Sequence, residues 1–106
     1  MNVLETIRMR ILEVLRSSKE PLTAQEIAAK LGLEPKAEKE IYKHITHLAK
    51  SVWRRTKGRE RIVMIPPSCR NCGYVFKKLE KPRRPSKCPR CKSSRIEPPR
   101  FILMPG

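Results

Sequence analysis

Apolar residues recur at helical spacing through the first half of the chain and give way to two short, unbroken apolar runs in the second. Leu4, Ile7, Ile11, Val14 and Leu15 share one stripe and predict a helix over residues 3–17, with Glu5, Arg8 and Arg16 on its exposed side. Met9 and Leu12 fall off that stripe and need another cover, either a C-terminal strand or a second subunit. Ser17-Ser18-Lys19-Glu20-Pro21 ends the helix. A second, short helix has a legible start. Thr23-Ala24-Gln25-Glu26 reads as a capping box, and Leu22 and Ile27 supply the hydrophobic staple around it. Ile27, Ala28 and Leu31 are expected inside, and Gly32 stops the helix after about two turns.

Beyond the Leu33-Glu34-Pro35 turn, a third helix is predicted from Lys36 to Val52, burying Ile41, Ile45, Leu48, Ala49 and Val52. Lys36, Lys43, His47, Lys50 and Arg54 project from the opposite side, flanked by Lys39 and Thr46. Tyr42 lies near the buried edge and Glu40 on the exposed one. His44 is expected at the surface, and His47 at a phosphate or base. A long helix, a capped short helix, a turn with Gly and a basic long helix make a helix-turn-helix plan. In that plan the third helix enters the major groove. A plain solvated face is the competing account of the lysine row.

The two apolar runs, Arg61-Ile-Val-Met-Ile65 and Arg100-Phe-Ile-Leu-Met104, have high β propensity. Pro66-Pro67 follows the first and Pro98-Pro99 precedes the second. Antiparallel pairing of these runs would carry everything between them as an insert. The competing layout is a hairpin over residues 53–65 with Lys57-Gly58 at its tip, followed by a separate unit.

Cys69-Arg-Asn-Cys72 and Cys88-Pro-Arg-Cys91 lie inside that insert, with fifteen residues between the pairs. Two C-x-x-C turns at this spacing are the pattern of a four-thiolate zinc site, and Gly73 suits the positive φ that follows the second cysteine of such a turn. All four cysteines are used, so no coordination position is left open and the metal reads as structural. Iron is chemically allowed in the same tetrahedron, and two disulfides are the other alternative. A thioredoxin-like redox motif would need a βαβ setting that the pattern lacks.

Charge sharpens the picture. Residues 1–35 hold five basic and five acidic side chains, so the whole formal charge of +15 lies in residues 36–106. Such an asymmetry predicts a polyanionic partner, nucleic acid first, with an acidic protein or membrane surface behind it; the helix-turn-helix plan points to double-stranded DNA. The segment Lys77 to Lys87, with Lys77, Lys78, Arg83, Arg84 and Lys87 among its prolines, reads as an exposed cationic arm suited to phosphates. Tyr74, Val75, Phe76, Leu79 and Ile96 are too few apolar residues to hold the insert, so metal binding must fold it. No apolar run approaches the ~18 residues of a membrane span, and no secretory leader is legible. A cytoplasmic protein without membrane contact is expected. The scarcity of amides (Asn2, Gln25, Asn71) and the ten prolines resemble the bias of heat-adapted proteins.

These cysteines, the capping-box helix and the basic third helix make the chain resemble, over essentially its whole length, a family of small archaeal proteins. Its members are predicted transcriptional regulators that join a winged helix to a rubredoxin-like zinc ribbon. The resemblance implies an α+β fold, a winged helix-turn-helix with three helices and a small antiparallel hairpin, joined to a four-cysteine zinc ribbon; antiparallel pairing of the two apolar runs, the favoured layout, inserts that ribbon in the wing. The expected division is a winged-helix body over 1–65, a ribbon over 66–99 and a returning strand over 100–106. Its knuckles stand closer than those of rubredoxin proper and the chain is basic, which speaks against electron transfer.

The functional expectation is a non-enzymatic, DNA-binding regulator of transcription. Lys36, Lys39, Lys43, Thr46, His47 and Lys50 would line the groove, with Arg54, Arg55 and Arg59 on adjacent phosphates. The alternative is an adaptor that meets a protein of the transcription machinery through ribbon and winged helix. An RNA-binding ribbon protein fits the charge but not the helix-turn-helix. Met9 and Leu12 raise the prospect of a homodimer. With no Asp and no open metal position, an enzyme is the reading with least support.

Overall fold

The computed structural model describes residues 3–106, with side chains from Thr6 onward; Leu4 and Glu5, placed on the first helix by the sequence, lie outside those described side chains. Helix α1 spans Val3–Ser17. Ile11 and Leu15 are buried and Ile7 and Val14 pack against them, as the stripe demands. Leu12 belongs to the same core at 9% exposure, so it needs no second subunit, whereas Met9 stays 50% exposed. Arg8 also departs from expectation: it is half-buried, turned toward the third helix rather than toward solvent.

Leu22–Thr23 forms a two-residue strand, β1, and leads directly into α2, Ala24–Lys30. The capping box is complete, with the Glu26 amide donating to Thr23 Oγ1 and the Thr23 amide to Glu26 Oε1, both at 3.1 Å. That amide, first among several donors, holds the Glu26 carboxyl below its usual range. At the other end Gly32 (φ +74°) donates to the Ala29 carbonyl and Leu33 to the Ala28 carbonyl at 2.8 Å, closing a Schellman motif. A 3-10 turn, Pro35–Ala37, precedes α3, Glu38–Arg55. The third helix thus starts after Lys36 and runs about a turn beyond Val52. Ile41, Ile45, Leu48 and Val52 are buried with Tyr42, while Ala49 is only half-covered.

Two six-residue strands pair antiparallel over their full length, from Glu60 opposite Pro105 to Ile65 opposite Arg100: β2 is Glu60–Ile65 and β5 is Arg100–Pro105. β5 is the central strand, because β1 adds on its other side through Leu22–Phe101 and Thr23–Arg100. Phe101, fully buried, joins Tyr42 and the helices into one core, with Ile62, Met64 and Leu103 packed on it from the same sheet face. Lys57-Gly58 is the turn that closes α3, Gly58 N donating to the Trp53 carbonyl at 2.9 Å, and not the tip of a hairpin. Residues 66–99 leave and rejoin the sheet between directly paired residues. Within them β3 (Ser68–Cys69) and β4 (Ile96–Glu97) make a second, two-stranded sheet. Pro67 and Pro99 at the two crossings are fully buried.

Candidate metal centre and nucleic-acid interface

The two C-x-x-C segments fold as near copies of each other. In the first, the Cys69 amide donates to the Tyr74 carbonyl at 2.7 Å and the Gly73 amide to the Cys69 carbonyl at 2.9 Å. In the second, the Cys88 amide donates to the Ser93 carbonyl at 2.8 Å and the Lys92 amide to the Cys88 carbonyl at 2.9 Å. Both turns need a left-handed residue after the second cysteine, and Gly73 (φ +81°) and Lys92 (φ +65°) supply it. For a side chain such as that of Lys92 this conformation costs about 1–2 kcal/mol. The knuckle accepts that strain because it aims the sulfurs. Backbone amides of Arg90 and Cys91 point at Cys88 Sγ at 3.3 and 3.5 Å, and that of Cys72 at Cys69 Sγ at 3.5 Å.

The four Sγ atoms of Cys69, Cys72, Cys88 and Cys91 all lie within 4.8 Å of one another. The Cys69–Cys91 and Cys72–Cys88 separations are 3.5 and 3.6 Å. A tetrahedron with metal–sulfur bonds of about 2.3 Å has edges of roughly 3.8 Å, so the cradle has the size and chemistry to hold one thiophilic ion. Asn71 Nδ2 lies 3.4 Å from Cys91 Sγ. That amide, followed by the Ser93 backbone, brings the Cys91 thiol down to about 6, while against the Tyr74 backbone hydrogen bond desolvation and the neighbouring thiols push that of Cys72 up to about 11. Cys69, Cys88 and Ile96 form the buried apolar cluster at the site, with Tyr74 and Phe76 in an edge-to-face pair at 5.1 Å beside them.

α3 carries the expected cations on its open side. Lys39, Lys43, His47, Lys50, Arg54 and Arg55 are exposed, as are Lys36 in the preceding turn and Arg59 beyond the helix. Lys36 pairs with Glu34 at 3.0 Å and Lys43 with Glu40 at 3.6 Å; both pairs are solvent-exposed and weak. Thr46 is half-buried, and its hydroxyl donates back to the Tyr42 carbonyl at 2.9 Å, which leaves it only acceptor capacity for a base. His44 contradicts the expectation of a surface residue. It is 6% exposed beneath α1, and its Nδ1 accepts from Arg8 Nε at 3.2 Å. Burial, then the Arg8 charge, keeps its imidazole below the ordinary value.

Part of the arm rests against the flank of α3. Arg84 is not free for phosphate: Nη2 donates to Glu38 Oε1 at 2.6 Å and Nε to Oε2 at 3.1 Å. Tyr42 donates to the same Oε2 at 2.9 Å, and burial, then Glu38, raises its phenol. Lys81, Pro82 and Arg83 therefore face Lys39, Tyr42, Lys43 and Thr46 across a groove of about 460 Å³. Lys81 is not among the contacts the sequence suggests; its place beside α3 follows from the Arg84 pair, which no local pattern announces. Lys77 and Lys78 lie away from α3, around a concavity with Tyr74 and Arg90, and Lys87 is exposed near the second knuckle. No helix among the described residues is long and apolar enough to cross a membrane.

A four-cysteine ribbon set between the paired strands of a three-helix domain defines the chain as a zinc-ribbon protein. Residues 6–63 match the family model described as PF0610-like, N-terminal, and residues 66–104 that of the PF0610 rubredoxin-like zinc beta-ribbon domain; the chain belongs to this family. It is similar to protein PF0610 from Pyrococcus furiosus, known from a solution NMR structure, with 32% sequence identity and a TM-score of 0.74. That similarity covers 98% of this chain and 93% of PF0610. No curated protein matches the chain.

Proposed function

We propose that this chain is a winged-helix protein that binds duplex DNA through α3, carries a structural zinc ion in its ribbon, and serves transcription without catalysing a reaction. The observation that supports this most is the alignment of cations on the open side of α3 with those of the arm that rests on its flank. Lys39 and Lys43 on the helix face Lys81 and Arg83 on the arm. In a winged helix the wing stands at this place beside the recognition helix, and here the ribbon takes that place. When bound, zinc closes the two knuckles and supplies the folding free energy that the ribbon's few buried side chains lack. Glu38 and Tyr42 then orient the arm through Arg84, so that backbone contacts come from two elements at once.

α3 offers lysines, two histidines of which only His47 is exposed, and no Asn or Gln, so bidentate reading of adenine is absent from it. Strong phosphate binding with modest base discrimination is the expected outcome. The test is binding of the zinc-loaded chain to random duplex DNA across a salt series, with Lys43→Ala and Lys50→Ala alongside. Each variant should weaken binding to all sequences alike and reduce the salt slope by about 0.9. Weak binding that neither variant alters would reject the reading.

A further inference from the structure

We propose that the free edge of β2 is a docking site for an extended, acidic protein segment that joins the sheet as a fourth strand; this stands independently of the DNA reading. β2 is the terminal strand of the order β1-β5-β2; Thr56 Oγ1 accepts from the Glu60 amide at 3.0 Å and so covers the start of its outer side, and beyond Glu60 no other segment among the described residues hydrogen-bonds to that side. Its six residues pair with β5 without a bulge, no Pro interrupts Glu60–Ile65, and its charged residues stand at the Glu60-Arg61 end, leaving Ile62–Ile65 apolar. Proteins ordinarily blunt such an edge with those devices, because unpaired N–H and C=O groups invite another strand.

Both faces beside this edge are prepared for side chains. On the helix side a cleft of about 250 Å³ opens between the strand and the arm, with Ile45, Ala49, Ile62, Met64, Pro82 and Phe101 in its lining. On the opposite side Val63 pairs across the sheet with Ile102 and Arg61 with Met104, and Ile65 and Met104 are 41% and 42% exposed. An added strand sends alternate side chains to opposite faces, so one set enters the cleft and the other lies along Val63 and Ile65. Affinity would come from main-chain pairing and selectivity from the cleft.

Charge selects the partner. Among the described residues, Arg59, Arg61 and Lys50 are paired with no carboxylate at this edge, Glu60 is held by Arg16 at 3.0 Å, and Glu80 at the cleft is the opposing charge. A second copy would bring the same arginines and another +15 against them. An acidic segment with alternating apolar residues fits instead.

The test uses the zinc-loaded full chain and a nine-residue peptide alternating valine and glutamate, followed by amide NMR and hydrogen exchange. The expected result is slowed exchange of β2 amides and shifts around the cleft. A lysine-for-glutamate peptide and a backbone N-methylated one should each bind at least tenfold more weakly. Ile65→Glu, at an exposed position, should weaken the acidic peptide by a similar factor with the fold intact. The proposal is overturned by no response at millimolar peptide, by shifts confined to the lysines of α3 and the arm, or by equal binding of the N-methylated peptide. Concentration-dependent dimerisation that protects β2 without peptide would overturn it too, giving the edge to a second copy.

Discussion

The helical body and the ribbon solve the same problem with different materials. The body gathers fourteen buried apolar side chains from three helices and two strands into one core. The ribbon's own apolar cluster has three buried members, and two of them are cysteines. Burial at ~25 cal/mol per Å² can hold the first and cannot hold the second. The difference leads us to expect two stabilities in the chain, one set by water and one by metal, joined at a pair of adjacent strand ends.

Metal removal separates them most sharply. Chelation, or Cys88→Ser, should unfold residues 66–99 and abolish their dispersed NMR signals, a loss of the order of 10–16 kcal/mol by comparison with zinc peptides. Helical circular dichroism should persist. If the helices melted together with the ribbon, the contrast would be broken and the metal would be holding the whole molecule. Metal analysis of the purified chain in the same experiment tells zinc from iron. The mirror-image change is Phe101→Ala. It empties a fully buried site of the body, should cost about 3–5 kcal/mol in denaturant unfolding, and should leave metal stoichiometry at one.

A smaller effect is expected at the contact between the two. Glu38→Gln removes the charge that Arg84 and Tyr42 share, in a pair where the Glu38 and Arg84 side chains are 15% and 36% exposed. Solvent screening limits the loss of stability to about 1 kcal/mol or less. The arm should nonetheless come off α3, with faster tryptic cleavage after Arg83 while the metal is retained. Unchanged cleavage would show that the arm is placed by the ribbon alone.

How much of this is legible in the sequence depends on how far apart the cooperating residues stand. The capping box at Thr23 and Glu26 and the Schellman stop at Gly32 are local chemistry, spelled within a few residues. The two knuckles are local as well, and their union follows from counting cysteines. The apolar runs flanked by proline pairs give β2 and β5, because six residues suffice to show β propensity. β1 escapes such a reading, since two residues carry no periodicity and Leu22–Thr23 becomes a strand only through Phe101 and Arg100.

Helical periodicity also misjudges the flanks of a helix, because it reports angle and not what covers that angle. His44 and Arg8 read as surface residues until α1 is laid over α3, where burial lowers the imidazole's hold on a second proton and its Nδ1 accepts from Arg8. Leu12 reads as an invitation to a partner for the same reason. The Arg84–Glu38 pair joins residues 46 apart in sequence and rests on how the arm lies, which nothing local encodes.

Ile65 and Arg100 stand directly opposite each other where the chain departs for the ribbon and where it comes back. Cα atoms in such a pair are only about 4.5–5.5 Å apart, a span that a two-residue turn bridges. The 34 residues between them are therefore a graft on a hairpin that is complete without them. Evolution or an engineer can exchange that cassette for a different one, or for a bare turn, without re-registering the host sheet.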